Sequence, residues 1–455
     1  MEGTSWVSSS VTRLECFSGG FQRLSGDGMI GKRTAVLVIL LLVGMQAWGQ
    51  SPLAITGVRI LTPGQELPLS GTVLMKDGKI IAVGSHITIP SDARIIDGRG
   101  KVVIPGLFDA GNQLGLVEIP FVSITDDSTE YTDPVHPELR VVDAFNSRSE
   151  NIRVARPAGI TYSLVMPSGG NVIAGQSAII QLDGESAEQM VLKSPAALHI
   201  NLGEASKETY GNKEHTPKTR MGEMALLRQA FLRAQHFSAA QAASPASQGS
   251  HDEKPGRDLK MEALIAALNR EIPVVIHANR LSDIESAIRL ADEFNLRLVL
   301  SEAASAWRIA DQLAQRRIPV IVGPILRAPG RIESIDLRLD NAAILHNAGV
   351  TVALQTGSSN GVSDLWFAVG YGMANGLSAD AALAAVTINP ASIFGMQNRL
   401  GTIEPGKDAT LLLLDGDPFL VNTHVLKVFI AGKEVNLTNH QTQLYELYKK
   451  KYDIH

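Results

Sequence analysis

Few side chains in this chain can do chemistry, and their types narrow the options. The only cysteine among the 455 residues is Cys16. That excludes a disulfide framework, a thiolate zinc site, an iron–sulfur cluster and a cysteine nucleophile. Reaction chemistry therefore falls to histidine, carboxylates, lysine or serine. Two histidines stand in short apolar runs, His199 in AALHINLGE and His277 in PVVIHANRL. An imidazole there serves as a metal ligand, as a proton carrier, or simply as a hydrogen-bonding group in a packed pocket. Ser358 and Ser359 end another run, ALQTGSSN, but no Ser–His pairing is visible, so a serine nucleophile is not expected. His136 and His215 read as exposed loop residues, His251 falls in a loop, and His346 lies on a helical pattern.

The elements that would position these residues are legible in outline. A hydrophobic share of 45% is ordinary for a globular protein and far above that of a disordered one. With 41 Lys plus Arg against 46 Asp plus Glu, the net charge is -5, which gives no basic surplus for nucleic acid. From Leu53 to Ile104 and again from Ala409 to Val435, β-branched runs are separated by Asp-Gly and Gly-Lys turns, the pattern of short strands. Between them, apolar runs (ITYSLVMP, AALHINL, PVVIHAN, LRLVLSE, PVIVGP, TVALQTG) alternate with helical patterns such as LKMEALIAALNRE. With one segment after Ile104 and one more in between, these runs predict an α/β fold, a (β/α)8 TIM-type barrel. A doubly wound open sheet is the alternative on pattern alone. The flanking strands are expected to form a small β-sandwich domain built from both ends of the chain.

The expected organisation is thus 1–28 as a mis-assigned N-terminal extension, 29–49 as a signal peptide, 52–104 with 395–437 as the composite β-domain, and 105–394 as the barrel. Residues 238–257 read as a mobile loop, and 438–455 as a C-terminal helix or tail. The leader reading rests on Lys32 and Arg33 before the apolar stretch Thr34–Met45, and on the small-x-small site at Ala47 and Gly49. Thr34–Met45 is short of the roughly 20 residues a membrane span needs. The mature chain is expected to be periplasmic or secreted, with no stable membrane span after cleavage.

Several motifs in order resemble the amidohydrolase superfamily, and its imidazolonepropionase-like members in particular. VVIPGLFDAGNQLG is similar to that family's first-strand signature, which ends in Asp-Ala-His-x-His. PVVIHANRLSDI and GITYSLVMPSGGNVIAGQSAIIQLDG resemble its fifth and third strand segments. TINPAS resembles its last helix, and GTIEPGKDATLLLLDGDP its return to the small domain. The resemblance spans about Leu53 to Val435. It implies metal-dependent hydrolysis of C–N bonds other than ordinary peptide bonds, in cyclic amides, ureas and amidines, on a small-molecule substrate. It also implies a homodimer or pairing with a paralogue.

The family's ligands are a His-x-His pair on strand one, often a lysine on strand four, one histidine each on strands five and six, and an Asp on strand eight. Carried over, Gly111 and Gln113 stand where the first pair should be, and Gly357 where the Asp should be. His199 takes the fourth-strand position, His277 is the expected fifth-strand histidine, and Glu302 replaces the sixth. The resemblance thus implies a degenerate set of His277, His199, Glu302 and Gln113. That set would hold one divalent metal (zinc, iron or manganese) or none. Glu302 is the candidate catalytic base, paired with Arg280 or Arg327 if it is not a ligand. Asn279 and Arg280 are the candidate substrate-binding residues. The second reading is a non-catalytic relative that binds a ligand or assembles with an active paralogue.

Overall fold

The computed structural model describes residues 51–65, 69–211, 215–243 and 256–453. The extension and leader expected at 1–49, and His251, lie outside the described residues. Among those described, no helix is long and apolar enough to cross a membrane.

The chain begins its small domain with β1 (Leu53–Ile60), β2 (Leu69–Lys76), β3 (Lys79–Gly84), β4 (Arg94–Asp97) and β5 (Val102–Pro105). Asp77 and Gly78 make the tight turn between β2 and β3, both with positive φ. The barrel follows as β6 (Leu107–Asn112), β7 (Ile160–Val165), β8 (Ile173–Gln181), β9 (Val191–Asn201), β10 (Val274–Ala278), β11 (Leu298–Glu302), β12 (Val320–Val322) and β13 (Val352–Leu354). The small domain is completed by β14 (Leu411–Leu414), β15 (Val425–Ile430) and β16 (Lys433–Glu434), in the order β16-β15-β14-β5-β1-β2-β3 with β4 beside β1. β5 pairs antiparallel with β14, Ile104 opposite Leu412, so both ends of the chain share one sheet. Ile55, Val103, Leu411 and Phe429 form part of its buried core.

The barrel sheet runs β6 to β13 in sequence order. It closes where the Gly357 N–H donates to the Gly111 carbonyl at 3.0 Å. This overturns the open-sheet alternative. One strand departs from the parallel pattern: β8 is antiparallel to both β7 and β9. The connection from β7 to β8 spans only residues 166–172. A parallel crossover needs a dozen or more residues, so this stretch can only return as a hairpin.

Two other expectations are corrected. Residues 238–243 are not loop but the end of a 24-residue helix, Arg220–Ala243. Their composition, SAAQAA, is rich in the best helix former, and the loop reading gave that too little weight. The rest of the expected loop up to 255 lies outside the described residues. His136 is buried rather than exposed, with its Nδ1 3.1 Å from Glu138 Oε1.

Candidate active site

Side chains alternate along a strand, so every second residue points into the barrel. Ala197, Val275, Val299, Ile321 and Ala353 form an apolar inner layer. Two residues further along each strand come His199, His277, Ser301, Gly323 and Gln355. The same alternation that fills the core with methyl groups thus presents a polar layer at the C-terminal mouth. TIM-type barrels carry their chemistry at that end.

The two histidines meet there. His199 Nδ1 and His277 Nε2 face each other at 3.1 Å, and one of these nitrogens must carry the proton between them. His199 is fully buried, and its Nε2 has no partner among the described residues. Burial foremost, then the neighbouring His277 charge, holds the His199 pKa well below the usual imidazole value, so it is a neutral ring. On the other side of the His277 ring, Nδ1 is 3.8 Å from Glu302 Oε1, longer than a hydrogen bond.

Glu302 is itself held firmly. Asn279 Nδ2 donates to its Oε2 at 2.6 Å, and Arg327 Nη2 approaches the same oxygen at 3.4 Å. Burial raises the carboxyl pKa, but His277, Arg327 and Asn279 outweigh it and hold the group at about 2. Its backbone is strained: Glu302 and Ala303 both take positive φ, 65° and 49°. The turn is pinned by Asn279 Oδ1 accepting from the Ala304 N–H at 3.3 Å, and by Asn341 Nδ2 donating to the Ala303 carbonyl at 3.1 Å.

Known proteins share this arrangement of elements. The model of the amidohydrolase family matches residues 191–435, more than half of the chain. A solved amidohydrolase from Thermotoga maritima is 34% identical, with 84% of this chain and 99% of that one covered and a TM-score of 0.78. The chain belongs to the amidohydrolase family. Among curated proteins, the amidohydrolase tasK of Hapsidospora irregularis is 29% identical over 388 residues, 80% of this chain but only 39% of that protein. The imidazolonepropionase of Symbiobacterium thermophilum is 23% identical over 76% of this chain and 83% of that one. Members of the family usually bind a divalent metal.

This amidohydrolase departs from that expectation in its donor set. Where the first histidine would stand, a Cβ built on Gly111 would overlap Gln355 Oε1 and crowd the Met166 sulfur. The Gln355 amide is fixed there by Nε2 donating to the Gly323 carbonyl at 3.0 Å. Gly357, at φ 61°, contributes only its backbone. Gln113 lies just past the end of β6, and its N–H donates to the Ser358 carbonyl at 3.4 Å. His277 turns one ring nitrogen to His199 and the other to Glu302, so the three candidate ligands lie in a row rather than around a point. No cluster of three or more His, Cys, Asp or Glu able to hold a metal occurs among the described residues. A catalytic ion needs about three protein donors with one open position, and the residues present do not fit it.

The structure also places the other candidate residues and adds new ones. Asn279 is a Glu302 partner, and Arg280, exposed, precedes the helix Leu281–Phe294 with no side-chain hydrogen bond to its first turn. Arg327, not Arg280, is the cation on Glu302. Ser358 Oγ accepts from the Gly361 N–H at 2.9 Å, a turn bond. Asp109 was visible in the first-strand motif but given no role. It is fully buried, accepts from the Gly111 and Thr356 N–H groups at 3.2 and 3.1 Å and from the Thr356 hydroxyl, and burial pushes its carboxyl up to about 6. Gln355, a polar residue in an otherwise apolar run, was the sequence signal that went unread.

Over the same mouth, a cleft of about 850 Å³ lies between the helix Glu204–Gly211 and residues 329–335. It is lined by Glu204, Lys207, Glu208, Lys218 and Arg331 among others. Beneath it three buried carboxylates, Glu223, Asp283 and Glu333, surround Arg220. Arg228 pairs with Glu293 instead and takes no part in this cluster.

Proposed function

We propose that this amidohydrolase acts on C–N bonds other than ordinary peptide bonds, with altered or reduced metal chemistry. What carries the reading is Gln355, whose amide fills the space that the strand-one ligand would need. The acid–base work then falls to His277, with ionised Glu302 orienting its ring and neutral His199 as its partner. Arg327 and Asn279 keep Glu302 ionised and in place. The charged cleft lined by Glu204, Lys207, Glu208, Lys218 and Arg331 favours a small polar substrate.

The filled strand-one space also favours a second reading, a non-catalytic barrel that binds a ligand or pairs with an active paralogue. A homodimer is an equally open arrangement. One experiment separates these. The purified chain is dialysed, its zinc, iron and manganese are measured, and hydrolysis of cyclic amides and ureas is assayed with and without chelator. Chelator-resistant hydrolysis that is lost in His277→Ala supports the first reading. Neither metal nor hydrolysis, with retained ligand binding, supports the second. A tightly held ion that vanishes in His277→Ala, together with chelator-sensitive activity, would overturn the second reading and show that the altered site of the first still holds a metal. Residues 29–49 support a periplasmic or secreted location, which cell fractionation would test.

A further inference from the structure

The opposite, N-terminal end of the barrel carries a cluster of cations that the chemistry at the mouth does not use. An open pocket of about 680 Å³ is framed by the turns that lead into β11, β12 and β13 and by residues 392–397. Arg270, Arg297, Arg316 and Arg317 line it, with Ser392 and Thr351 among the neutral hydrogen-bonding groups. Among the described residues the only carboxylate in the lining is Asp292, and Arg316 engages it. Arg270 donates to the Asn295 carbonyl and side chain at 3.0 and 3.1 Å, so its charge is not neutralised there.

Arg297 is the telling residue. Its Nη2 is buried, with no hydrogen-bond acceptor among the described residues. A buried guanidinium N–H without an acceptor loses its hydration with nothing in return, so such groups are ordinarily paired. Burial, then the charge of Arg270, lowers the Arg297 pKa, and burial, then Arg297, lowers that of Lys193 nearby. Lys193 Nζ is tied to the Phe394 carbonyl at 2.8 Å and brings no negative charge to the group. These cations repel one another, and the missing partner is an anion.

We propose that this pocket is a binding site for a phosphate-type oxyanion, with Arg297 as its central donor. A planar guanidinium matches such an oxyanion bidentately, and Ser392 and Thr351 supply neutral donors around it. The volume leaves room for a phosphate group, free or carried on a larger molecule.

Pyrophosphate is the probe, titrated calorimetrically into the intact chain at constant ionic strength. Binding is expected, weakened about 10-fold or more in both Arg297→Met and Arg297→Lys, as for loss of one charge-assisted hydrogen bond. Arg297→Lys keeps the charge, so an unchanged melting temperature shows that the loss is not unfolding. Heats no larger than those of sodium chloride, or binding unaffected by both substitutions, would overturn the site. Sedimentation with phosphatidylglycerol vesicles, compared with pyrophosphate binding, tells a lipid headgroup from a soluble phosphorylated ligand.

Discussion

The row Glu302–His277–His199 is built from residues of ordinary type in unusual company. Each is positioned by a neighbour one strand away, and Asn279 does two tasks at once. It donates to Glu302 and accepts from the Ala304 N–H of the strained turn. Asn279→Ala should therefore cost about 1–3 kcal/mol, since it leaves a half-buried carboxylate and a buried N–H short of partners. Urea denaturation of the variant against wild type measures it. Gly111 and Gln355 make a second pair whose meaning is steric. Gly111→Ala should destabilise the chain by about 1–3 kcal/mol through overpacking, and Gln355→Ala in the same chain should recover part of that loss. A double-mutant cycle on melting temperatures reads the coupling.

At the scale of elements, the turns after β9 and β12 are joined by charge. The Glu204 N–H donates to Glu333 Oε2 at 2.6 Å, and Arg220 makes paired bonds to Asp283 at 2.7 and 2.9 Å. Glu333 has its pKa raised to about 7, by burial first and by Glu204 and Asp283 after it. The folded state therefore holds a proton that the unfolded state, near the ordinary value of 4.5, has released. The stability contributed by this group is present at low pH and is lost as pH rises from about 4.5 to about 7. Glu333→Gln, which keeps an acceptor for the Glu204 N–H, should flatten that decline and gain stability relative to wild type above pH 7. Urea midpoints across the pH range check this. Stability curves that run parallel for the two proteins would refute it.

For the whole molecule, one sheet joins residues 53–105 to residues 411–434, with the barrel between them in sequence. The pairing of β5 with β14 buries Val103, Leu411 and Leu413. A chain ending at Glu404 loses β14, β15 and β16. It exposes β5 as an open apolar edge, which invites pairing with other chains. Such a truncation should elute as aggregate in size-exclusion chromatography, whereas removal of the C-terminal helix His440–Lys451, which buries no residue of its own, should leave a folded protein.

Period and local motif carried much of this into view before any coordinates. Apolar runs alternating with helical patterns specify a parallel sheet covered by helices, because a strand buried on both faces must be apolar along its length, while closure into a barrel was read from the family resemblance and the number of runs. His199, His277 and Glu302 were identifiable because each ends or interrupts such a run. The direction of β8 depends on connection length rather than periodicity, and His136 is buried because its N–H donates to the Ile173 carbonyl of β8 and its ring meets Glu138, contacts that a loop sequence does not signal. Other features belong to tertiary structure alone. Which ring nitrogen faces which partner, and that Gln355 from the last strand fills the space beside Gly111 on the first, depend on residues some 240 positions apart meeting when the barrel closes. Sequence fixes which side chains are available and which way they alternate, since both are local properties of a strand. Closure decides what they meet, since strand tilt and stagger set that only in the assembled barrel.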